Sequence, residues 1–515
     1  MGEKTVDIPA IVPNEAGSIN DEPTKEHVID SRADIGLRYI AEHGVVEFTP
    51  EEERKVRRKI DMYFLPILAI TFGLQYLDKV SIGYSAVYDM IPDLGLVGQQ
   101  YSWANSLFYF GYLAGEVPAN FLMQKLPIGK FVAVNIFIWG VLVMLCAVTK
   151  NFTGLAILRF LMGVFEACIG PCWVQLTGMF YKSGEQGARV SVWYSMVGLA
   201  VILGGFFSWG IGNIQTQGVK TWQLIFLICG GFTVVWAVII YLWLPESPAV
   251  AKFLDQREKS IAIERLRKNR TGIKNKEFKW AHAIEALKDP QCWMISLWTG
   301  VSMMLNIGGS FKPLIIRDMG FTGLTTTLLT MPNGAVEIVA MALGAYFSSK
   351  LKNGRTMLMF VIALPTVAGC IMLAVAPRYM TWVRLTGVWT LTCIPASYAL
   401  LLSLISSNVA GTSKKVVVTL SSFIFFCVGN IVTPQLFIDK EAPYYTTGMR
   451  AMLVGVCLTE ALTLALGAYY YFENKRRDRL LAETPAEVIA ANTFDNEEFL
   501  DRTDQEDWMR FRYKW

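Results

Sequence analysis

Apolar residues along this 515-residue chain neither alternate nor trace a single helical stripe; they fill whole stretches of about twenty residues, separated by short polar breaks. In helical conformation a stretch of that length crosses the roughly 30 Å hydrocarbon core of a bilayer. Twelve stretches qualify: 61–87, 101–124, 130–149, 152–178, 188–212 and 221–244, then 291–311, 324–347, 355–376, 381–405, 412–437 and 447–472. One polar segment, 245–290, is far longer than the other breaks. The pattern predicts an all-α integral membrane protein: a tail (1–60), a six-helix bundle (61–244), a central loop (245–290), a second six-helix bundle (291–472) and a final tail (473–515). Six helices, a long connector and six more predict two bundles facing each other.

Composition agrees. The chain is 53% hydrophobic and 17% charged, with a mean hydropathy of +0.37, where soluble proteins carry about 25% charged residues. The nine cysteines show no metal-ligand spacing, and those in the spans, such as Cys146, Cys168 and Cys427, read as small packing residues. The polar, acidic start "MGEKTVDIPAIVPNEAGS" is not expected to be a cleaved signal peptide.

Lysine and arginine sort by loop. Arg54, Lys55, Arg57, Arg58 and Lys59 precede the first span, and alternate breaks carry Lys125, Lys130, Lys182, Arg189, the central block, Lys350, Lys352, Arg355, Lys414 and Lys415. Lys475, Arg476, Arg477 and Arg479 follow the last span. The opposite breaks hold fewer: Lys150, Lys220, Lys312, Arg317, Arg378 and Lys440. This bias places both termini and the central loop in the cytoplasm. Within that loop, "REKSIAIERLRKNR" reads first as a solvated helix and second as a lipid-headgroup or regulatory contact. "NFT" at Asn151 has glycosylation spacing, but the break is too short and too close to the membrane to favour modification.

Charges inside spans are few, and each costs about 2.5 kcal/mol or more unless paired or wetted. Asp78 and Lys79 lie in the first span, Glu116 in the second, Arg159 and Glu166 in the fourth, Glu337 in the eighth, Arg384 in the tenth and Glu460 in the twelfth. Arg159 and Glu166 are seven positions apart in "RFLMGVFEACIGPCW", nearly two helical turns and about 10 Å. They share a face yet cannot reach each other, so each needs a partner on another helix or in a cavity. Gly163 between them lets a neighbouring helix or a substrate come close. The pair reads either as inter-helix struts or as a working site in which Glu166 exchanges protons. Lys79 reads either as snorkelling or as a cavity cation for an anion. Asp78, Glu116, Glu337, Arg384 and Glu460 are candidates for gating or structural roles. Asn105 and Tyr109, with Tyr112, put polar tips at helical spacing in an apolar span and are candidate substrate contacts.

The three histidines, His27, His43 and His282, fall in tails and loop, so any proton carrier inside the spans is a carboxylate. No nucleophile–base or metal constellation appears; neither enzymatic activity, cofactor, metal nor nucleic-acid partner is expected.

These motifs carry a family resemblance. The six-plus-six layout resembles the major facilitator superfamily. Within it, "YLDKVSIGYSAV", "FYFGYLAGEVPANFLMQKLPIGKF", "RFLMGVFEACIGPCW", "WLPESP", "NVAGTSKKVVV" and the terminal "FLDRTDQEDWMRFRY" are similar to the fungal allantoate permease family of anion:cation symporters. The resemblance runs from about residue 55 to the end. It implies import of small, mostly anionic nutrients or vitamin-like compounds, driven by protons, by a monomer in a fungal plasma membrane. Through more distant animal vesicular glutamate and phosphate carriers, it implies that Lys79 and Arg159 hold the substrate anion and that Glu166 couples the proton. The chain departs from those carriers in having lysine rather than arginine at 79, and no arginine within the seventh span. "QKLPIGKF" also lacks the acidic residue of the superfamily's usual signature. Two alternatives stand beside import: export of a secondary metabolite, and a nutrient receptor that signals through its tails without transport.

Overall fold

The computed structural model describes residues 46–214, 218–268, 278–305, 308–351, 353–377, 379–485 and 502–515. His27, His43, Lys352, Arg378, residues 269–277 of the central block and the N-terminal tail up to residue 45 lie outside them. Among the described residues the fold is helical throughout, and ten helices are long and apolar enough to cross a membrane. The second and seventh expected spans are also helical: Gln100–Lys125, and Pro290–Ser302 followed by Gly308–Arg317. The second carries several polar residues and the seventh is interrupted, which keeps both below that apolarity and length.

Three boundaries differ from the sequence pattern. The first helix begins at Pro50, because Thr49 caps it: Glu52 N donates to Thr49 Oγ1 at 3.2 Å and Thr49 N donates to Glu52 Oε2 at 3.0 Å. The basic cluster 54–59 therefore sits on helix, where Arg57 pairs with Glu185 at 3.3 Å and Lys59 with Glu258 at 2.6 Å. The last helix runs on to Glu483, stabilised past the apolar stretch by Arg477 and Arg476 to Glu473. The seventh span reaches Arg317, so Lys312, which the charge pattern put in a loop, is an 8% exposed residue inside a helix.

The packing repeats with a shift of six spans. In the first half the third span packs on the sixth, the second on the fourth and the first on the fifth; the second half pairs the ninth with the twelfth, the eighth with the tenth and the seventh with the eleventh. Across the halves, the first span meets the seventh, the second the eleventh and the fifth the eighth. Glycines permit these approaches: a Cβ on Gly163 would overlap Phe108 O, and one on Gly111 would overlap Phe160 O. The neighbour that approaches Gly163 is thus the second span.

Each half has an even number of spans, so the start of the first helix, the connector and the final tail share one end of the molecule, the tail side. Hydrogen bonds between halves gather at the opposite, far side. Tyr101 OH donates to Ser310 O at 2.7 Å, Ser106 Oγ to Ile431 O at 2.7 Å, Gln435 Nε2 to Ser106 Oγ at 3.0 Å, and Arg317 Nη1 to Ala86 O at 3.1 Å. The tail-side ion pairs instead stay within a half and its adjoining connector or tail.

The connector is not a solvated helix. Gln256–Lys268 buries the run Ser260 to Arg265, and the fully buried Arg265 guanidinium meets Glu53 and Glu185. On the second half, Lys414 Nζ is surrounded by Glu285 Oε1 (2.8 Å), Asp289 Oδ2 (2.7 Å) and Asp504 Oδ1 (2.8 Å). Asp504 belongs to the final segment, which folds back on the bundle. Its Oδ2 accepts from Tyr513 OH at 2.6 Å and Gln291 Nε2 at 3.0 Å, and Arg477 donates to Asp504 O and to Tyr513 OH. His282, the one histidine described, is buried 3.4 Å from Glu506 of the same segment. Asn151 caps the fourth span by accepting from Gly154 N at 2.9 Å.

Candidate functional site

The fourth span is two helices, Phe152–Glu166 and Ile169–Phe180, and Glu166 ends the first. Pro171 is the local cause: with no N–H it cannot donate to the carbonyl four residues back, which loosens the ladder at the break. The fully buried Glu166 carboxylate points at the first span, where Lys79 Nζ stands 2.8 Å from its Oε1. Neither Glu166 oxygen makes an aligned hydrogen bond among the described residues. Gln75, one turn before Lys79, lies alongside.

Arg159 does not join that pair. It is 3% exposed, its guanidinium lies 5.0 Å from the centre of the Phe108 ring, and its Nε and Nη1 have no hydrogen-bond partner among the described residues. Its charge reaches Asp78, whose Oδ2 accepts from Trp139 Nε1 at 3.1 Å. Phe108 also lies under Lys79, at 5.6 Å, with the stacked neighbouring ring of Tyr112 at 5.3 Å. Two cations thus share aromatic faces in an apolar setting, where such contacts are worth about 2 kcal/mol. Asp78, Arg159 and Glu166, all buried, and Lys79, whose side chain is 22% exposed, form a quartet of two basic and two acidic side chains, formally neutral, assembled from the first and fourth spans. The sequence spacing identified Arg159 and Glu166 as needing separate partners; it did not identify Phe108, an aromatic among many in its span.

Tyr109 belongs to this site: Arg159 and Glu166 act on its hydroxyl, and its ring meets Phe426 of the second half at 6.2 Å. Asn105 is buried on the same helix face, its amide donating to Tyr101 O at 2.8 Å. Glu116 lies nearer the tail side, with Asn120 donating to its Oε1 at 3.1 Å. Glu460 is 7% exposed in the twelfth span, and its oxygens have no hydrogen-bond partner among the described residues. Arg384 is buried near the far-side start of the tenth span.

The second half contributes its own charged pair. Lys312 of the seventh span and Glu337 of the eighth line one cleft between the halves, with Tyr76, Val80 and Tyr84 of the first span, Asn333, Thr330 and Thr392. Tyr76 and Val80 of its lining flank Lys79 on the first span, so the cleft and the quartet share one helix. The proline-interrupted stretch around Lys312 concealed this cation from the sequence pattern.

Two helical bundles with charged side chains facing their common interface are the architecture of a membrane transporter. The match to the Major Facilitator Superfamily model covers residues 68–434. The allantoate permease of Saccharomyces cerevisiae is 36% identical over 94% of this chain and 91% of its own length. An uncharacterized transporter of Schizosaccharomyces pombe is 44% identical over 91% of this chain and 87% of its own. Among solved structures, a D-xylose-proton symporter superposes with a TM-score of 0.60 at 13% identity, covering 78% of this chain and 97% of that one. An inward-facing bacterial homologue of the lysosomal transporter Spinster gives 0.57 at 16% identity, covering 82% and 98%. The chain belongs to the major facilitator superfamily and, within it, to the allantoate permease family.

Proposed function

We propose that the protein is a proton-coupled importer of a small organic anion, working by alternating access in a fungal plasma membrane with its tails in the cytoplasm. The observation that carries this reading is the Lys79–Glu166 contact inside a neutral quartet. An anion entering a neutral, buried site leaves it with an uncompensated charge, which is costly in low dielectric. A proton on Glu166 removes that cost and releases Lys79. Lys79 and Arg159, whose guanidinium has unspent donors, then receive the carboxylate, with Tyr109 and Asn105 beside it. After the anion leaves, Lys79 returns to Glu166 and expels the proton. The interhalf bonds at the far side fit an inward-facing state if the tail side is cytoplasmic.

Relatives support a nutrient role. Besides the allantoate permease, a high affinity cysteine transporter and a thiamine pathway transporter of Saccharomyces cerevisiae are 29% and 28% identical over 90% and 93% of this chain. The test is uptake of a panel of radiolabelled carboxylate nutrients by a transporter-deficient yeast expressing the protein, with and without a protonophore. Accumulation that collapses with the protonophore supports the reading. Accumulation that ignores it overturns the coupling, and efflux rather than uptake favours an exporter.

A further inference from the structure

The cleft around Lys312 and Glu337 is unbalanced in its hydrogen bonding. Its amide and hydroxyl donors turn inward to the backbone: Asn333 Nδ2 donates to Thr330 O at 3.0 Å, Thr330 Oγ1 to Thr327 O at 2.6 Å, and Tyr84 OH to Val201 O at 3.2 Å. Two of its acceptors are unmatched. Glu337 Oε1 and Asn333 Oδ1 are both buried, in residues only 2% exposed, and neither has a hydrogen-bond partner among the described residues. Asn333 and Glu337 are four apart on one helix, so their oxygens project from the same face, one turn from each other. Lys312 stands in the same cleft as its cation.

Buried acceptors without donors are rare and expensive, and a ligand that supplies N–H groups relieves them. A plain carboxylate cannot, because it only accepts; nor can a hydrocarbon tail. An amide meets both requirements: its N–H reaches Glu337 and Asn333, while its carbonyl accepts from Lys312.

We propose that Glu337, Asn333 and Lys312 form a second recognition subsite that reads the end of the substrate remote from its carboxylate and selects molecules carrying an amide-type N–H there. This rests on the organic-anion reading above, since the carboxylate is held at Lys79 and Arg159. Tyr76 lines this cleft from the first span, one turn from Lys79 on the same helix, so one small bifunctional molecule held at both poles contacts both halves. Binding that joins the halves is what alternating access requires of a substrate.

The test uses purified full-length protein in detergent and two probes of equal charge and nearly equal shape: N-acetylglycine, which has the N–H, and acetoxyacetate, in which an ester oxygen replaces it. Affinities come from ligand-induced thermal stabilisation. The wild type should bind N-acetylglycine at least tenfold more tightly, because the ester leaves charged and amide acceptors unpaired. In the double variant Lys312→Met, Glu337→Leu, which removes the cation and the carboxylate together, the preference should fall to about twofold or less, with the acetoxyacetate affinity within a factor of three of wild type. Equal binding of the two probes by the wild type, or an undiminished preference in the folded double variant, overturns the subsite. Binding of neither probe overturns the organic-anion reading itself, and the subsite with it.

Discussion

Lys79 and Glu166, from different spans, meet at 2.8 Å, while Arg159, which shares Glu166's helix, stands apart over an aromatic ring. In the proposed cycle the carboxylate that takes the proton and the cation without an ion pair are therefore distinct groups. Glu166→Gln keeps the shape of the side chain and removes its titration. Uptake against a concentration gradient should be lost, whereas exchange of labelled for unlabelled substrate persists. One proton per substrate converts each pH unit into about tenfold accumulation; in the variant the ratio should stay near one at every imposed pH. Accumulation of wild-type size in Glu166→Gln would remove Glu166 from the coupling step.

Arg159 offers a planar fork with donors unspent, and lysine cannot reproduce it. Arg159→Lys should weaken substrate affinity by roughly tenfold to a hundredfold, the range of a lost hydrogen bond to a charged group. Phe108→Leu leaves every charge in place but withdraws the ring under both cations, and should cost a smaller factor, about fivefold. Measured uptake affinities for the two variants check this order; equal losses would mean that Phe108 does more than support the cations.

Gly163 fixes how closely the second and fourth spans lie. Alanine there gains helix propensity, up to about 1 kcal/mol, but its methyl meets backbone at Phe108 O and Tyr112 N. Backbone cannot rotate aside, so the clash should outweigh propensity, at about 1–3 kcal/mol. Gly163→Ala should melt at a lower temperature and, by shifting Phe108, bind substrate more weakly. An unchanged melting temperature would mean that the two spans separate freely.

The spans and the fourth-span charges were legible because an ionisable residue in an apolar run has few explanations. Lys312 was not: Gly308, Pro313 and Arg317 around it look like a break, and the helix exists because the far-side contacts to Ala86 and Tyr101 order it. Arg265 reads as a surface residue in a polar stretch, since its partners Glu53 and Glu185 are remote in sequence. The final segment misled most. Polar and tail-like, it gives no sign of packing against the bundle, yet Asp504 and Tyr513 are buried. Charge pairing across such distances leaves no periodic trace.

On the far side, Lys220 Nζ and Trp222 Nε1 both donate to Asp93, and the Lys220 bond in particular holds its carboxyl below the usual carboxylate range. A folded pKa below the unfolded one gives stability that is present above the ordinary value, about 4, and lost as pH falls through the folded value. The lysine is more than half exposed, so the contribution is small and salt-sensitive. Thermal melts of wild type and Asp93→Asn should converge below about pH 3.5 and separate above about pH 5. Parallel curves across that window would assign the acid sensitivity elsewhere.

Asp504 is fully buried; its carboxylate joins Lys414 of the eleventh span and Gln291 of the seventh to Tyr513, while its backbone carbonyl accepts from Arg477 of the twelfth. Removing the carboxylate leaves Lys414 its other two partners but deprives the buried Tyr513 hydroxyl and Gln291 amide of their shared acceptor, at about 1–3 kcal/mol for each donor left unpaired. Asp504→Ala should lower the melting temperature sharply, and truncation after residue 501 should do so further by also uncovering Arg477 and the start of the ninth span, where Arg355 N donates to Trp515 O at 3.0 Å. Lys414 would then face only Glu285 and Asp289. Asp504→Asn separates charge from bonding: it keeps acceptance from Tyr513 but not the negative charge beside Lys414, and should fall between wild type and Asp504→Ala. If truncated protein melts like wild type and transports at full rate, the segment is a passenger on the bundle, and the tail-based signalling alternative regains a free tail on which to act.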